Sequence, residues 1–254
     1  MADTNTPYQH GDVAATWDKV SAAYDEAAYW QFPENRANLA TILRHLGDAS
    51  GKRIIEVGSG SGLTSVALAQ QGAHCALLDI SPVALATAAE GFKRAGLPPP
   101  EQFLADALHN DVPGNVYDLV WNGGVIEHFV DEGKVLLIHE MVRLCKPGGL
   151  VLILVPNRLA WQFQLRQSWQ KMRGTWKYGF EDDMSPGRIL RMAVKAGYTG
   201  AEAYAFNPIA AWRWIPKTSK ILRWLKVDTV EHHSRRSATG MITVLAIRKE
   251  GGRS

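Results

Sequence analysis

Three glycines on alternate positions, Gly58, Gly60 and Gly62, constrain this chain more than any other feature. They end an apolar run, Ile54-Ile55-Glu56-Val57, and precede Leu63, Val66, Ala67 and Leu68 at helical spacing. That order reads as a parallel strand, a tight turn and a helix. Glycine suits a backbone that turns sharply and that a ligand approaches without meeting a Cβ. The helix start beyond it offers unpaired N–H groups to an anionic or polar ligand group. The spacing is G-x-G-x-G with Glu56 two residues upstream, not the G-x-G-x-x-G of a dinucleotide site.

The chain then alternates strands and helices. A strand is predicted over 74–80, and Asp79 near its end lies seventeen residues beyond Gly62. A carboxylate at that tip can accept two hydrogen bonds from vicinal ribose hydroxyls, while Ser81 before Pro82 serves as the helix N-cap. A third strand, 101–105, ends at Asp106-Ala107. A fourth, 117–121, runs into Asn122-Gly123-Gly124-Val125-Ile126-Glu127-His128-Phe129. A helix over 131–145 is expected to stop at Lys146-Pro147-Gly148-Gly149, before a strand over 150–155. Upstream, 12–30 and 33–46 read as helices. Downstream, 185–196 reads as a helix and 201–206 and 241–248 as strands.

The pattern E-V-G-S-G-S-G, the Asp79 tip, the segment Y-D-L-V-W-N-G-G-V-I-E-H-F and the Lys-Pro-Gly-Gly turn occur in one order across residues 53–156. Together they resemble the class I S-adenosylmethionine (SAM) dependent methyltransferases of small-molecule type. The resemblance implies one doubly wound, Rossmann-like domain. Its seven-stranded sheet would have an antiparallel last strand, a helical lid over 12–48 and a substrate cap. It also implies S-adenosyl-L-methionine as cofactor. Glu56, Gly58, Ser59, Gly60 and Gly62 would then surround its methionine half, and Asp79 with Ile80 its ribose. Asp106 would meet the adenine amino group, Ala107 a ring nitrogen, and Asn122 and Gly123 the methyl-donating sulfonium. Tyr24-Asp25, after Trp17, resembles the family's lid element; a core-facing amphipathic helix is the other reading.

Methyl transfer from a sulfonium is an in-line displacement, so the protein's part is to align the reactants and exclude water. A base is needed only where the acceptor loses a proton. His128 is the candidate, with Glu127 before it, because imidazole titrates near neutrality. Ubiquinone-pathway O-methyltransferases carry Glu-x-x-Glu-His here, thought to hold a divalent metal. This chain keeps Glu127 and His128 but has Gly124 at the first glutamate, so no metal is expected. His232-His233, without spaced partners, read as exposed loop residues.

Two stretches beyond Pro156 do not belong to the strand-helix pattern. Residues 157–180 hold five Lys or Arg and no acid; residues 207–238 hold seven against Asp228 and Glu231. Six of the nine tryptophans lie there. The leading reading is a cap, with Arg158, Arg166 or Arg213 available to an acidic acceptor group. A membrane surface is the second and RNA the third, although nothing resembles a nucleic-acid module, so no nucleic-acid partner is expected. The function expected is methylation of a small molecule, at oxygen. A lipid-linked acceptor at the membrane, or SAM binding without turnover, stands as the alternative. Cys75 and Cys145 sit in apolar runs, the second in a predicted helix, and read as reduced core residues of a cytoplasmic protein. The start of the chain lacks a basic and apolar leader, and no run approaches the ~18 apolar residues of a membrane span.

Overall fold

The computed structural model describes residues 10–21, 26–215 and 217–251. Three helices come first: α1 (His10–Ser21), α2 (Glu26–Gln31) and α3 (Pro33–Leu46). The core follows as β1 (Arg53–Val57), α4 (Leu63–Ala69), β2 (His74–Asp79), α5 (Pro82–Arg94), β3 (Glu101–Leu104) and β4 (Tyr117–Gly123). After a 3-10 turn at Ile126–His128 come α6 (Asp131–Leu144), β5 (Cys145–Pro156), α7 (Trp161–Met172), α8 (Pro186–Lys195) and β6 (Glu202–Phe206). A second 3-10 turn, Ala210–Trp214, leads to α9 (Thr218–Trp224), α10 (Val230–His233) and β7 (Ile242–Arg248).

The strands form one sheet in the order β3-β2-β1-β4-β5-β7-β6. β7 runs antiparallel to both neighbours, and the pairs from β3 to β5 are parallel. Chain order reverses between β1 and β4, and the crevice beyond such a reversal is where ligands bind in open α/β sheets. Alternation along β1 sends Ile55 and Val57 into the core under α6 and α8, and Ile54 toward α3. The expected Ser81 cap is present, its Oγ accepting from Ala84 N at 3.0 Å with Pro82 in the first turn of α5.

The Lys-Pro-Gly-Gly segment departs from expectation. Helix α6 ends at Leu144, and Cys145 already pairs with Tyr117 as the first residue of β5, not the last of a helix. The register then slips between Tyr117 and Leu119, and Gly148, at φ 76°, turns the extra residues out. The glycines thus shape an irregularity inside a strand. They do not stop the helix.

Two buried asparagines anchor the segments beyond β5 and β6. Asn157 donates from Nδ2 to Gly240 O (2.7 Å) and Ala238 O (3.0 Å), and its Oδ1 accepts from Leu159 N (3.0 Å). Asn207, at φ 68°, pairs through Oδ1 with His233 Nδ1 at 2.5 Å. His233 is therefore a fully buried pin, its Nε2 3.0 Å from Asp228, and not an exposed loop residue. Burial lowers its pKa against the pull of Asp228. Loss of Asn157's side chain would leave the buried carbonyl of Gly240, the carbonyl of Ala238 and the amide of Leu159 without this partner. Asn157→Ala should therefore cost about 2–3 kcal/mol in urea unfolding, and an unchanged midpoint would contradict this anchoring role.

Candidate active site

A cavity of about 1340 Å³ opens over the carboxyl ends of β1, β2 and β4. Its floor is the glycine turn. All three glycines have positive φ: 70° at Gly58, 50° at Gly60 and 62° at Gly62. Gly58, Ser59 and Gly60 line the cavity, and the Ser59 hydroxyl is buried there with no partner. Gly62 does not line it; a Cβ there would stand 2.7 Å from Ala88 Cβ, so this glycine holds α4 against α5. Gly58 is tight against the opposite wall, where a Cβ would come within 2.4 Å of Val125.

Two buried carboxyls support the floor. Glu56 accepts from Ser65 Oγ at 2.5 Å, and burial pushes its pKa up to about 8. Asp79 accepts from Gly60 N at 2.8 Å through one oxygen and from Ser81 N at 2.9 Å through the other. Burial raises its pKa while those amides lower it. Each oxygen still has a lone pair for a ligand. Ile80, Asp106 and Ala107 continue the wall, with Asp106 Oδ1 accepting from Leu108 N at 2.8 Å.

The far wall comes from β4 and the segment after β5. Trp121 and Gly123 face the cavity, and Trp121 Nε1 is buried without a partner. Asn122 does not face it. Strand alternation turns its side chain toward α6, where Nδ2 lies 3.3 Å from Met141 Sδ, so of the pair expected to meet the sulfonium the structure brings Gly123 to the cavity and not Asn122. Tyr24 lies outside the described residues. Trp17 of α1 reaches the site, its ring edge-on to His128 at 5.0 Å and 6.4 Å from Tyr178. Trp176 closes on Tyr178 at 5.2 Å.

His128 Nδ1 lies 2.8 Å from the carbonyl of Phe180, which leaves Nε2 as the acceptor of a neutral ring. Burial lowers its pKa to about 4, against the pull of the Phe180 and Gly124 carbonyls. Glu127 is 2% exposed and lines the cavity, with Oε2 unpartnered. Burial raises its pKa well above the ordinary value, and Glu181 and Asp183 add to the shift. The protonated form this favours is a hydrogen-bond donor, not a base.

Glu181 is the residue sequence reasoning missed. It lines the cavity, accepts from Gln167 Nε2 at 2.8 Å, and is raised to about 8 by burial. Its neighbour Asp182 is held by Lys134 at 2.7 Å and Arg188 at 2.5 Å, which turns Glu181 and Asp183 the other way, toward α7. The signal was an acidic triplet directly after an acid-free stretch. Among the described residues, no three His, Cys, Asp or Glu side chains are grouped to hold a metal ion.

The two basic segments behave differently. The first supplies Phe163, Arg166, Trp176 and Tyr178 to the cavity wall, whereas the cavity lining includes no described residue of 207–238. The second segment packs behind the first, with Trp212 edge-on to Trp161 at 5.5 Å. Arg213 is not available to an acceptor: its Nη2 donates to both oxygens of Asp228 (2.8 and 2.7 Å), and its Nε lies 3.3 Å from Glu34. Arg158 lies 3.9 Å from Asp182.

The depressed pKa of His128 is directly measurable. Followed by NMR from neutral pH downward, its ring should titrate at about 4 and stay neutral above that. A midpoint near the ordinary 6.5 would contradict the burial described for it.

Known proteins share this architecture. The methyltransferase domain profile matches residues 55–153. A ubiquinone biosynthesis O-methyltransferase of Methylococcus capsulatus is 31% identical over 172 residues, covering 63% of this chain and 69% of that protein. A demethylmenaquinone methyltransferase of Clavibacter sepedonicus is 27% identical, covering 92% and 89%. Among solved structures, a SAM-dependent methyltransferase of Thermotoga maritima superposes with a TM-score of 0.61 at 15% identity, over 92% of this chain and all of that one. The N-methyltransferase NodS of Bradyrhizobium japonicum, with S-adenosylhomocysteine bound, gives 0.60 at 14%, over 93% and 98%. These two show the fold alone. With the glycine turn, the strand order and the first of these relatives in agreement, the chain belongs to the class I SAM-dependent methyltransferases of small-molecule type.

Proposed function

We propose that this enzyme methylates a hydroxyl oxygen of a small, planar, aromatic acceptor. The observation that carries the reading is the aromatic wall of Trp17, Trp176 and Tyr178 beside a neutral His128, all facing the glycine floor across one cavity. The relatives named for O-methylation in ubiquinone biosynthesis support oxygen as the target.

The residues present fit S-adenosyl-L-methionine. The glycine floor admits close approach, the buried Ser59 hydroxyl lacks a partner, and Asp79 keeps a lone pair on each oxygen. In this reading Gly58, Ser59 and Gly60 hold the methionine half over Glu56, Asp79 with Ile80 takes the ribose hydroxyls, and Asp106 and Ala107 border the adenine. When bound, the cofactor supplies an activated methyl group on sulfur. The chain's own residues stack the acceptor ring, exclude water and align the hydroxyl. In this reading His128 Nε2, unprotonated above about pH 4, accepts a hydrogen bond from the acceptor hydroxyl and passes its proton on to solvent as the C–O bond forms and the C–S bond breaks, while Glu127, protonated, donates a hydrogen bond to the acceptor. We also place the enzyme in the cytoplasm, since Cys75 and Cys145 are both free thiols and no described helix is long and apolar enough to cross a membrane.

Two substitutions test the halves of the site separately. Asp79→Ala should weaken S-adenosylhomocysteine binding by about 1.5–3 kcal/mol in calorimetry, after circular dichroism has shown a folded protein. Unchanged affinity would remove Asp79 from the ribose role. Tyr178→Ala should raise the KM of a phenolic acceptor about tenfold while cofactor affinity stays at the wild-type value. If no phenol among a panel yields S-adenosylhomocysteine, or if Tyr178→Ala leaves the KM alone, the aromatic acceptor is wrong.

A further inference from the structure

We infer that the outer face of α7, continued by Trp212, is a docking surface for an anionic lipid bilayer. Helix α7 has two faces of different kinds. Gln162, Phe163 and Gln167 are buried against the body of the protein. Opposite them, Trp161, Leu165 and Trp169 recur every four residues with 48, 64 and 51% of their surface exposed, and Met172 follows at 78%. A stripe of that spacing lies on one side of the helix. Among the described residues, the ring contacts on it are those of Trp212 with Trp161 and of Arg173 with Trp169, and the four side chains keep about half or more of their surface exposed.

The stripe continues into the second segment. Trp212, itself exposed, stacks edge-on against Trp161, and α9 begins four residues after that turn ends. No described residue of α9 is buried, and it presents Ile221 and Trp224 to solvent, Trp224 with 80% of its surface. Single exposed apolar residues need no explanation, but four on one face of a helix, joined by a ring contact to a fifth, mark an interaction site.

Charge selects the occupant. Residues 157–180 contain no acid, and Lys171 and Arg173 stand exposed at the end of the stripe, the guanidinium of Arg173 lying 4.1 Å over the Trp169 ring. Lys217, Lys220, Arg223 and Lys226 are all exposed around α9. Of the second segment's two acids, Asp228 is turned inward onto Arg213 and His233, so its charge is spent inside the fold. Tryptophan and leucine flanked by lysine and arginine match an interface of acyl chains under anionic headgroups. A second copy of this chain would bring the same positive charge against itself. The inference is independent of the acceptor, since none of the stripe residues lines the cavity.

Cosedimentation with vesicles tests this directly. The full-length protein should pellet with phosphatidylcholine–phosphatidylglycerol vesicles, far less with pure phosphatidylcholine, and should be released by high salt. Leu165→Glu and Trp169→Glu should each weaken that binding by about tenfold or more, with thermal midpoint and S-adenosylhomocysteine affinity as in wild type. The pair Lys171→Glu and Arg173→Glu gives a second, purely electrostatic variant, which should lose binding to the anionic vesicles only. The proposal is overturned if anionic vesicles capture no more protein than neutral ones, or if all these variants bind as wild type. It is also overturned if light scattering finds a dimer that Trp169→Glu dissociates, which would give the face to a second copy.

Discussion

The Asp79 carboxylate, held between the amides of Gly60 and Ser81, is the contact on which the rest of the site depends. It joins the turn after β1 to the turn after β2, so two strand ends become one floor. Burying a carboxylate is costly unless hydrogen bonds replace water, and here two backbone amides do so. The amides are available because the glycine turn runs through positive φ, and Gly62 then lets α4 settle against α5. Sequence, backbone and electrostatics agree at this point, and a ligand's diol would find a preorganised acceptor there.

The opposite wall rests on a second set of buried charges. Lys134, fully buried, and Arg188 clamp Asp182, and the amide of Asp182 donates to Glu127 O at 2.9 Å. That fixes the strand-four loop and the end of the first insertion together. Glu181 and Asp183 consequently face α7, and with Glu127 they form a cluster whose mutual repulsion and burial favour bound protons. Burial thus favours the uncharged forms of Glu127 and Glu181 at this side of the cavity, and the same cause depresses the pKa of His128.

How much of this was legible in the sequence follows from what sets each feature. The helix over 33–46, the seven strands and the glycine turn were readable because local periodicity and glycine chemistry decide them; of the single helix read over 12–30, α1 and α2 are described and 22–25 lie outside the described residues. Asn122 was misjudged because a motif was read in place of the alternation that puts Trp121 on one face and Asn122 on the other. His233 was misjudged because adjacent identical residues on one turn of helix, one pinned inside and one not, look alike in a sequence. The two insertions were read as equals from composition, yet among the described residues only those of the first reach the cavity. Composition counts charges and tryptophans but not which side of α7 holds them: Phe163, Arg166 and Gln170 face inward, whereas Trp161, Leu165 and Trp169 face out. The pinning asparagines carried no signal beyond their position after a strand.

The central claim is that one cavity joins a cofactor floor to an acceptor wall across the tip of β4. A crystal structure of the protein with S-adenosylhomocysteine tests it most directly. The ribose should lie against Asp79, the amino acid part over Gly58 and Gly60, and the sulfur should face the space between Gly123, His128 and Tyr178. A sulfur pointing away from His128, or a ribose without contact to Asp79, would contradict the account.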